Sequence, residues 1–577
     1  MKRNLLFMSV LASLFLAGCS QEDIAPDEEA NGNGEATTSY MAVNLVSSDV
    51  TGTRANGNGY EDGNGIENGV KHVRFYFFNG VGGAVNVKTT ASGTSVNYHD
   101  WDKDITDTGN NPNDIEKILS TTIVIDTKKG DGLPVRIAAV LNPTDEIKSL
   151  GSMGLSTLKE KSADFAAANL TTVNNFVMFN SVYVDNGKDY STTDIKAGNI
   201  CKTEDAAKAN PVTIYVERSV AKVSVALGPN VAGAATPDGK IALKNKVADG
   251  ENLTVGGKQV YLKLYGWALA AETDKGRLVK KINPKWEGTW WKPSTNTYRT
   301  FWAINEMSAK NVYKKSYDQI NTAFGEANYL YTNENAQLID IDNTQGGATK
   351  NTKVIVKGGL VDENNDPFTI VRHMGTHFAD DPADFNHLKE SILTVLENKE
   401  YFYYYKDGNN YTQISAADLD VVVPTTIKTE DSKNCYVYTQ LNSTAAARTT
   451  WYKSNVKNPV DASAYKESSV SEINGTLKDK KSDGSGEYII DRPLVWNSGM
   501  TYYYYEIKHL PESKEIGVVR NHIYKTTITN IAGLGTPVYK PDDIIYPEKP
   551  EENAHYIAAQ INILSWRIVD NSYDLDW

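Results

Sequence analysis

Three histidines lie close together between His373 and His387, and histidine serves both in proton transfer near neutral pH and in metal binding. His373 and His377 have the H-x-x-x-H spacing found on the helix of zinc proteases. The glutamate that would act as general base after the first histidine is replaced by Met374, and Gly375 disfavours a helix there. We therefore expect a surface loop. Because no Ser/His/Asp or Cys/His grouping stands out elsewhere in the sequence, we predict that the protein is not an enzyme.

Carboxylate and amide oxygens alternate in DENND, residues 362–366, as they do in a calcium-binding loop. Pro367 stands in place of the glycine that the sharp turn of such a loop needs. We expect no cofactor at this position, and a structural calcium ion stays an open alternative.

Two aromatic clusters, KWEGTWW at 285–291 and EYFYYYKDG at 400–408, have side chains that can stack on sugar rings. Aromatic residues in strands more often form core contacts or cross-strand pairs. The sequence therefore favours packing over glycan binding for both clusters.

The N-terminus carries the features of an export signal. Lys2 and Arg3 precede an apolar run, Leu5 to Ala17, that is too short to span a bilayer as a helix. The run ends in LAGC, which resembles the lipobox of bacterial lipoproteins. That resemblance implies signal-peptidase cleavage between Gly18 and Cys19, with palmitate-bearing lipid on Cys19. The residues that follow are acidic and poor in apolar side chains, as in a flexible tether.

The composition sets the broad class. A chain of 577 residues exceeds the size of one hydrophobic core, so two or more domains are expected. The net charge of -13, with no basic block, argues against nucleic acid as a partner. The 33 tyrosines favour strands, because aromatic residues pack well on a pleated sheet. Cys201 and Cys435 allow one disulfide, but the sequence does not show that they pair.

Short stretches of alternating apolar and polar residues recur along the chain and predict strands. The first, YMAVNLVSS at 40–48, alternates Met41, Val43 and Leu45 with other residues. Helical spacing is found in parts of 146–170. The pattern predicts a mostly β fold with some helix, arranged as two tandem β-sandwich domains with helical inserts.

Boundaries follow from the same pattern. We expect a signal peptide at 1–18, a tether and first strand at 19–54, an N-terminal domain at 55–228 and a C-terminal domain at 229–577. Within the last, residues 382–399 predict a helix with Phe385, Leu388, Ile392 and Leu396 near one face, and the polar run 457–486 predicts a surface loop.

The C-terminal segment, about 556–577, has two apolar faces whose alternation shifts between Ile563 and Leu564, as at a bulge or crossover. One face comprises Ile557, Ala559, Ile561 and Ile563, and the other comprises Leu564, Trp566 and Ile568. The segment is either a strand donated to another molecule or the last strand of its own domain.

An ordered set of motifs resembles the Mfa-type major fimbrial subunits of Bacteroidales, the type V pilins. These motifs are YVERSVAKVSV, GWALAAET, YRTFWA, YTNEN, GVVRNHIYKTTITNIAGLGTPV and YIAAQINILSWRIVDN. Family pattern is weakest at 440–490. The resemblance implies transthyretin-like pilin domains and a C-terminal donor strand.

The resemblance also implies how such a protein assembles. A lipidated precursor reaches the outer membrane, and an Arg-specific protease removes the N-terminal segment. The C-terminal strand of a neighbouring copy then fills the hydrophobic groove left by the lost strand. The implied partners are further copies joined head to tail, anchor and accessory tip subunits, the protease and the outer membrane.

Arg54 is the only Lys or Arg between Arg3 and Lys71, and it lies in the Gly/Asn-rich TGTRANGNG. Such a segment can enter a protease in extended form, and Ala55 rather than proline follows. We expect cleavage between Arg54 and Ala55, and the resemblance implies a fimbrial subunit at the surface of the outer membrane that supports adhesion. The alternative is a non-polymerising surface lipoprotein on the same fold, either a glycan-binding module or a tip adhesin.

Overall fold

The computed structural model describes residues 37–47, 65–89, 95–105, 118–127, 132–171, 176–185, 188–244, 251–282, 303, 315–338, 352–423, 437–485, 487–509, 515–545, 556–559, 562–565 and 567–576. The chain divides into two compact units. Unit 1 takes residues from Met1–Arg54, Asp62–Ser219 and Arg277–Trp302, and unit 2 takes residues from Ala55–Glu61, Val220–Gly276 and Ala303–Trp577.

The elements of unit 1 are mostly strands with short helices. Its strands are β1 (Thr37–Ser47), β2 (Val70–Phe78), β3 (Lys88–Thr89), β4 (Ser95–Val96), β5 (Tyr98–Ile105), β6 (Ile118–Thr127), β7 (Arg136–Leu141), β8 (Ser162–Ala163), β9 (Met178–Asn180), β10 (Tyr183–Asp185), β11 (Lys188–Tyr190), β12 (Thr193–Asp194), β13 (Ile200–Cys201) and β14 (Val212–Arg218). Its helices are α1 (Gly65–Asn68), α2 (Asp145–Lys148), α3 (Leu155–Lys159), α4 (Phe165–Thr171) and α5 (Glu204–Ala209).

Nine of these strands join one sheet. Its main path is β13-β1-β14-β9-β7-β2-β5, with β6 paired to β1 and β12 paired to β7. Helices α2, α3 and α4 lie within the segment whose spacing predicted helix in places. Thr144 begins α2 by accepting a hydrogen bond from the Ile147 backbone N–H at 3.2 Å, which satisfies a donor that the first helical turn leaves open.

Unit 2 carries the remaining elements. Its strands are β15 (Val220–Leu227), β16 (Ile241–Ala242), β17 (Thr254–Val255), β18 (Lys258–Gln259), β19 (Tyr261–Ala270), β20 (Gly276–Arg277, at the unit boundary), β21 (Tyr329–Asn333), β22 (Asn335–Leu338), β23 (Lys353–Val361), β24 (Thr369–His373), β25 (Thr376–Asp380), β26 (Phe402–Asp407), β27 (Asn410–Gln413), β28 (Leu419–Val422), β29 (Tyr438–Leu441), β30 (Trp451–Ser454), β31 (Lys466–Ser468), β32 (Leu494–Trp496), β33 (Met500–Glu506), β34 (Glu515–Val518), β35 (His522–Ile531), β36 (Thr536–Pro537), β37 (Tyr556–Ala559), β38 (Asn562–Ser565) and β39 (Arg567–Asp576). Its helices are α6 (Pro229–Ala232), α7 (Asn386–Asn398), α8 (Ser443–Ala446) and α9 (Val470–Lys478).

Two sheets of unit 2 enclose a common core. One has the order β21-β15-β35-β38-β39-β37, and the other has the order β16-β19-β23-β33-β36. Val225 and Ile528 of the first sheet share a buried cluster with Trp267 and Val356 of the second. A mostly β fold is confirmed, and unit 2 is a sandwich of two facing sheets.

The first unit ends at Ser219, before the predicted boundary at 228. The reason is that β15, which follows at once, pairs with β21 and β35 in the sheet of unit 2. The described residues from Arg277 to 282 belong to unit 1 again, which a simple tandem division does not anticipate.

An inserted module, residues 362–499, interrupts the second sheet between β23 and β33, which pair with each other directly. Its core includes the predicted helix α7, whose Leu388, Ile392 and Leu396 are buried, together with Phe385 just before the helix. The polar run 457–486 is not simply a loop. It contains β31 and the helix α9, which buries Ile473 and Leu477 in the same core.

None of the helices in the described part of the chain combines the length and apolar character needed to span a bilayer.

Candidate functional site

Strand β1, the segment predicted to be removed on maturation, lies inside the sheet of unit 1. On one side it pairs antiparallel with β6 over ten residue pairs, from Thr37↔Thr127 to Val46↔Ile118. On the other side it pairs parallel with β14, from Val43↔Val212 to Ser47↔Val216. We call the place that β1 fills between β6 and β14 the β1 slot. A strand bonded on both edges can be withdrawn only by opening two ladders.

One face of β1 supplies side chains to the core, as its alternation predicted. Met41, Val43 and Leu45 are all buried. Met41 lies beside the buried Ile123 in the antiparallel register, and Leu45 lies beside the buried Ile214 in the parallel one. Burial of such side chains stabilises by about 1.5 to 3 kcal/mol each, so removal of β1 costs roughly 4.5 to 9 kcal/mol. An emptied β1 slot is therefore a strong acceptor for another apolar strand.

The opposite face of β1 is also covered, although the sequence did not indicate by what. Ala42 packs in a small cluster with Cys201 and Ala207 of α5. Tyr40 is the cross-strand neighbour of Cys201, whose side chain is a buried thiol. Thr203 begins α5 by accepting a hydrogen bond from the Ala206 N–H at 3.3 Å. Cys201 is thus shielded by the strand that maturation is expected to remove.

The C-terminal segment adds strands to the first sheet of unit 2. β39 runs parallel to β35, from Lys525↔Asp570 to Ile531↔Leu575, and β38 runs antiparallel to the start of β35. β37 pairs with the end of β39 and lies at the edge of the sheet. In this structure the backbone of the segment occupies the flank of its own chain's β35.

The shift in alternation near 563–564 corresponds to a chain reversal rather than to a bulge in one strand. β38 and β39 form a tight hairpin in which Ile563 pairs with Ile568 and Leu564 with Arg567. The assignment of these residues to the faces of a donor strand stays a prediction. Ile557 and Ala559 are in β37.

Several predicted positions lie outside the described residues. They are the lipidation and signal-peptidase positions Gly18 and Cys19, the maturation positions Arg54 and Ala55, the donor positions Ile561 and Trp566, and Cys435.

The histidine segment forms a β-hairpin rather than a loop. β24 and β25 meet at Met374 and Gly375, whose φ angles of 51° and 79° produce a tight turn. His373 is buried with Nδ1 2.7 Å from the hydroxyl of Ser391. Burial, with a smaller contribution from Arg372, lowers the pKa of His377 to about 4. Among the described residues, no three His, Cys, Asp or Glu side chains converge as a metal site would require.

The DENND loop is held by an ion pair between its first residue, Asp362, and Lys258. The ammonium of Lys258 lies 2.9 Å from Oδ2 of Asp362, while Oδ1 of Asp362 accepts hydrogen bonds from the N–H groups of Asn364 and Asp366. Hydrogen bonding from Lys258 is the main reason that the pKa of Asp362 lies below its usual value. The carboxylate that would lead a calcium loop is therefore engaged in an ion pair.

Five of the motifs that carry the fimbrial resemblance converge in unit 2. Glu334 of YTNEN and Arg520 of GVVRNHIY form a fully buried ion pair at 3.2 Å. The Asn335 side chain donates to the Ala271 carbonyl of GWALAAET at 2.7 Å, and the N–H of Asn521 donates to the Val220 carbonyl of YVERSVAKVSV at 2.7 Å.

The YRTFWA motif reaches the same place through Ala303, which is buried with Ala336 and Val519. We call this set of contacts the motif cluster. It fixes the chain at the start of β35, the strand that pairs with the C-terminal segment. The spacing of these motifs along the chain gave no sign that they meet.

Residues 495–572 match the family described as Major fimbrial subunit protein type IV, Fimbrillin, C-terminal. The predicted resemblance to fimbrial subunits is confirmed. The fimbrillin match includes β33, β35, β38 and the first part of β39, together with Arg520 of the motif cluster.

No curated protein sequence matches the chain. A solved fimbrial assembly protein from Parabacteroides distasonis ATCC 8503 is 12% identical, with 56% of this chain and 82% of that one covered, at a TM-score of 0.26. The tip fimbrial protein Mfa3 from Porphyromonas gingivalis, with a C-terminal truncation, is 12% identical, with coverages of 59% and 81% and a TM-score of 0.26. At these TM-scores the two solved structures do not support a fold assignment. The similarity to fimbrillin therefore rests on the match over residues 495–572.

Proposed function

We propose that this chain is a structural subunit of a cell-surface fimbria that polymerises by strand exchange after β1 is removed. The precursor is lipidated at Cys19, is cleaved between Gly18 and Cys19, and is held at the outer membrane. An Arg-specific protease then cuts between Arg54 and Ala55. The filament contains further copies joined head to tail, with anchor and accessory tip subunits, and supports adhesion.

The observation that carries this proposal is the position of β1. Strand β1, which precedes the isolated Arg54 by a short stretch of sequence, fills an internal place in the sheet of unit 1 and buries Met41, Val43 and Leu45. One cut at Arg54 would separate both the lipid anchor and this strand from the rest of the chain. The same cut would turn a closed sheet into one with a vacant apolar slot.

The proposed occupant of the vacated β1 slot is the C-terminal segment of another copy. The segment carries regularly spaced apolar residues, among them Ile557, Ile563 and Ile568, and the backbone of its described residues adopts strand conformation. Strand addition uses main-chain hydrogen bonds for affinity and alternate side-chain pockets for specificity. A donor at one end and an acceptor at the other form a heterologous contact, which propagates as an open filament.

The test is the N-terminus of protein isolated from the cell surface. We expect assembled material to begin at Ala55 and to migrate as a heat-sensitive ladder. Lipidated Cys19 as the only N-terminus in assembled material would contradict the proposal.

A further inference from the structure

The inserted module has a surface that assembly by strand exchange does not use. The module leaves the sandwich between two paired strands, and its sheet of β27-β26-β30-β31 packs one face on its own core. Tyr403 and Trp451 are on that inner face. The outer face holds a group of aromatic side chains that charged residues border.

Four tyrosines form this group, which we call the tyrosine platform: Tyr404, Tyr411, Tyr452 and Tyr465. The Tyr411 and Tyr465 rings stack with centroids 3.8 Å apart and planes inclined by 6°. Tyr452 stands edge-on to Tyr411 at 5.0 Å, and Tyr404 stands edge-on to Tyr465 at the same distance. Tyr404 is buried, whereas the other three are partly exposed.

The loop between β30 and β31 holds the platform in place. The N–H of Asn458 donates a hydrogen bond to the Tyr404 hydroxyl at 2.8 Å. Lys457 in the same loop pairs with Glu397 of α7 at 2.9 Å. The loop also exposes Val456 and Val460 to solvent. The rings are therefore anchored from both sheet and loop, so little conformational freedom remains to be lost when a ligand binds.

Charges of both signs border the rings. The ammonium of Lys406 lies 5.5 Å from the centroid of the Tyr411 ring. Glu467 is the exposed cross-strand neighbour of Tyr452 on the other side. These two charges are of opposite sign, so together they favour neither an anion nor a cation, and a neutral ligand that can hydrogen-bond to both suits the rim.

We propose that the tyrosine platform binds a neutral saccharide. The C–H face of a pyranose ring packs on an aromatic ring, and its hydroxyl groups donate to a carboxylate and accept from an ammonium. The exposed surfaces of Tyr411, Tyr452 and Tyr465 supply the stacking, while Glu467 and Lys406 supply the hydrogen bonds. The inference does not depend on polymerisation.

Affinity electrophoresis of the unpolymerised full chain, carrying Cys19→Ser to prevent lipidation, tests the proposal. Native gels contain soluble mannan, galactomannan or β-glucan, and polygalacturonate serves as the anionic comparison. We expect retardation in at least one neutral gel. Tyr411→Ala and Tyr452→Ala should weaken the association about three- to tenfold, the value of one lost aromatic contact. Tyr411→Phe should retain it.

The matched control is Tyr401→Ala, which alters an exposed tyrosine of the same module outside the platform and should leave the retardation unchanged. If removal of a ring disrupts folding, Lys406→Ala combined with Glu467→Gln alters only exposed side chains and should still weaken binding. The proposal is overturned by the absence of retardation in every neutral gel, by retardation in polygalacturonate alone, or by full binding in the folded variants.

Discussion

Removal of β1 should expose Cys201, and thiol labelling can measure this directly. The perturbation is a chain that begins at Ala55, compared with one that begins at Ser20 and keeps β1. Both carry Cys435→Ser, so that Cys201 is the only thiol. In the longer chain Cys201 is 4% exposed and lies against Tyr40 and Ala42 of β1.

The magnitude follows from the apolar contacts of β1. Burial of Met41, Val43 and Leu45 contributes about 4.5 to 9 kcal/mol, and each 1.4 kcal/mol is about a factor of ten in the population of the open state. Labelling of Cys201 that requires β1 to open should therefore be slower than labelling of an exposed thiol by roughly three to six powers of ten. Other local opening motions can also expose Cys201 in the longer chain. We therefore expect the labelling rates of the two chains to differ by at least about 100-fold.

Added peptides extend the assay to the donor. A peptide of residues 37–47 should restore protection to the shorter chain, and so should a peptide of residues 556–577 if that segment is the donor. A 37–47 peptide with Val43→Asp should protect poorly. Val460→Cys in a Cys201→Ser background supplies an exposed thiol whose labelling stays constant. Equal labelling of Cys201 in the two chains would refute the assignment of β1 as its cover.

Four further outcomes are expected. Arg54→Ala should leave lipidated precursor at the cell surface without the ladder of assembled forms, as seen by electrophoresis of unheated samples. Deletion of residues 556–577 should give folded monomers that do not extend filaments, as seen by electron microscopy. Leu45→Ala should lower the unfolding free energy of the precursor by about 2 to 5 kcal/mol, because it empties a packed site, and should leave the mature chain unchanged because that residue is gone. His377 has a pKa lowered to about 4 from 6.5, so the unfolded chain binds the proton more readily, and stability should fall as pH drops from 6.5 towards 4. His377→Gln should flatten that part of the curve of melting temperature against pH.

Each of these has a result that contradicts it. A normal ladder from Arg54→Ala would mean that maturation uses another bond. Fibres of ordinary length from the deletion would remove residues 556–577 from the assembly mechanism. A Leu45→Ala effect that persists in mature protein would show that β1 is retained. An unchanged pH profile in His377→Gln would place the acid sensitivity elsewhere.

The sequence predicts an element well where apolar residues recur at the spacing of that element. β1 is an example, because its alternate residues Met41, Val43 and Leu45 are all buried, and α7 is another, because Leu388, Ile392 and Leu396 are buried at helical spacing. The sequence could not identify the walls of the β1 slot. β14 follows β1 only after most of unit 1 has intervened, and pairing between strands so far apart leaves no periodic signal.

Other parts were missed for different physical reasons. α9 lies in a polar run, yet Ser469 and Glu472 have the spacing of a helix start, and the Ser469 hydroxyl accepts from the Glu472 N–H at 3.1 Å. That signal was available and would have found the helix. The buried pair of Glu334 and Arg520 could not be found, because its two charges come from distant segments and nothing local indicates that either is buried.

The direct pairing of β23 with β33 determines how freely the inserted module can be replaced. The two ends of the inserted module leave from neighbouring strands, with Lys357 opposite Tyr502 and Gly359 opposite Met500. A segment whose ends are so close can be exchanged for another of different length without moving the strands that hold it, since loop closure costs little more for a longer insert. The position is thus a natural graft site, at which a foreign epitope or enzyme with adjacent termini could be displayed on every copy of the protein.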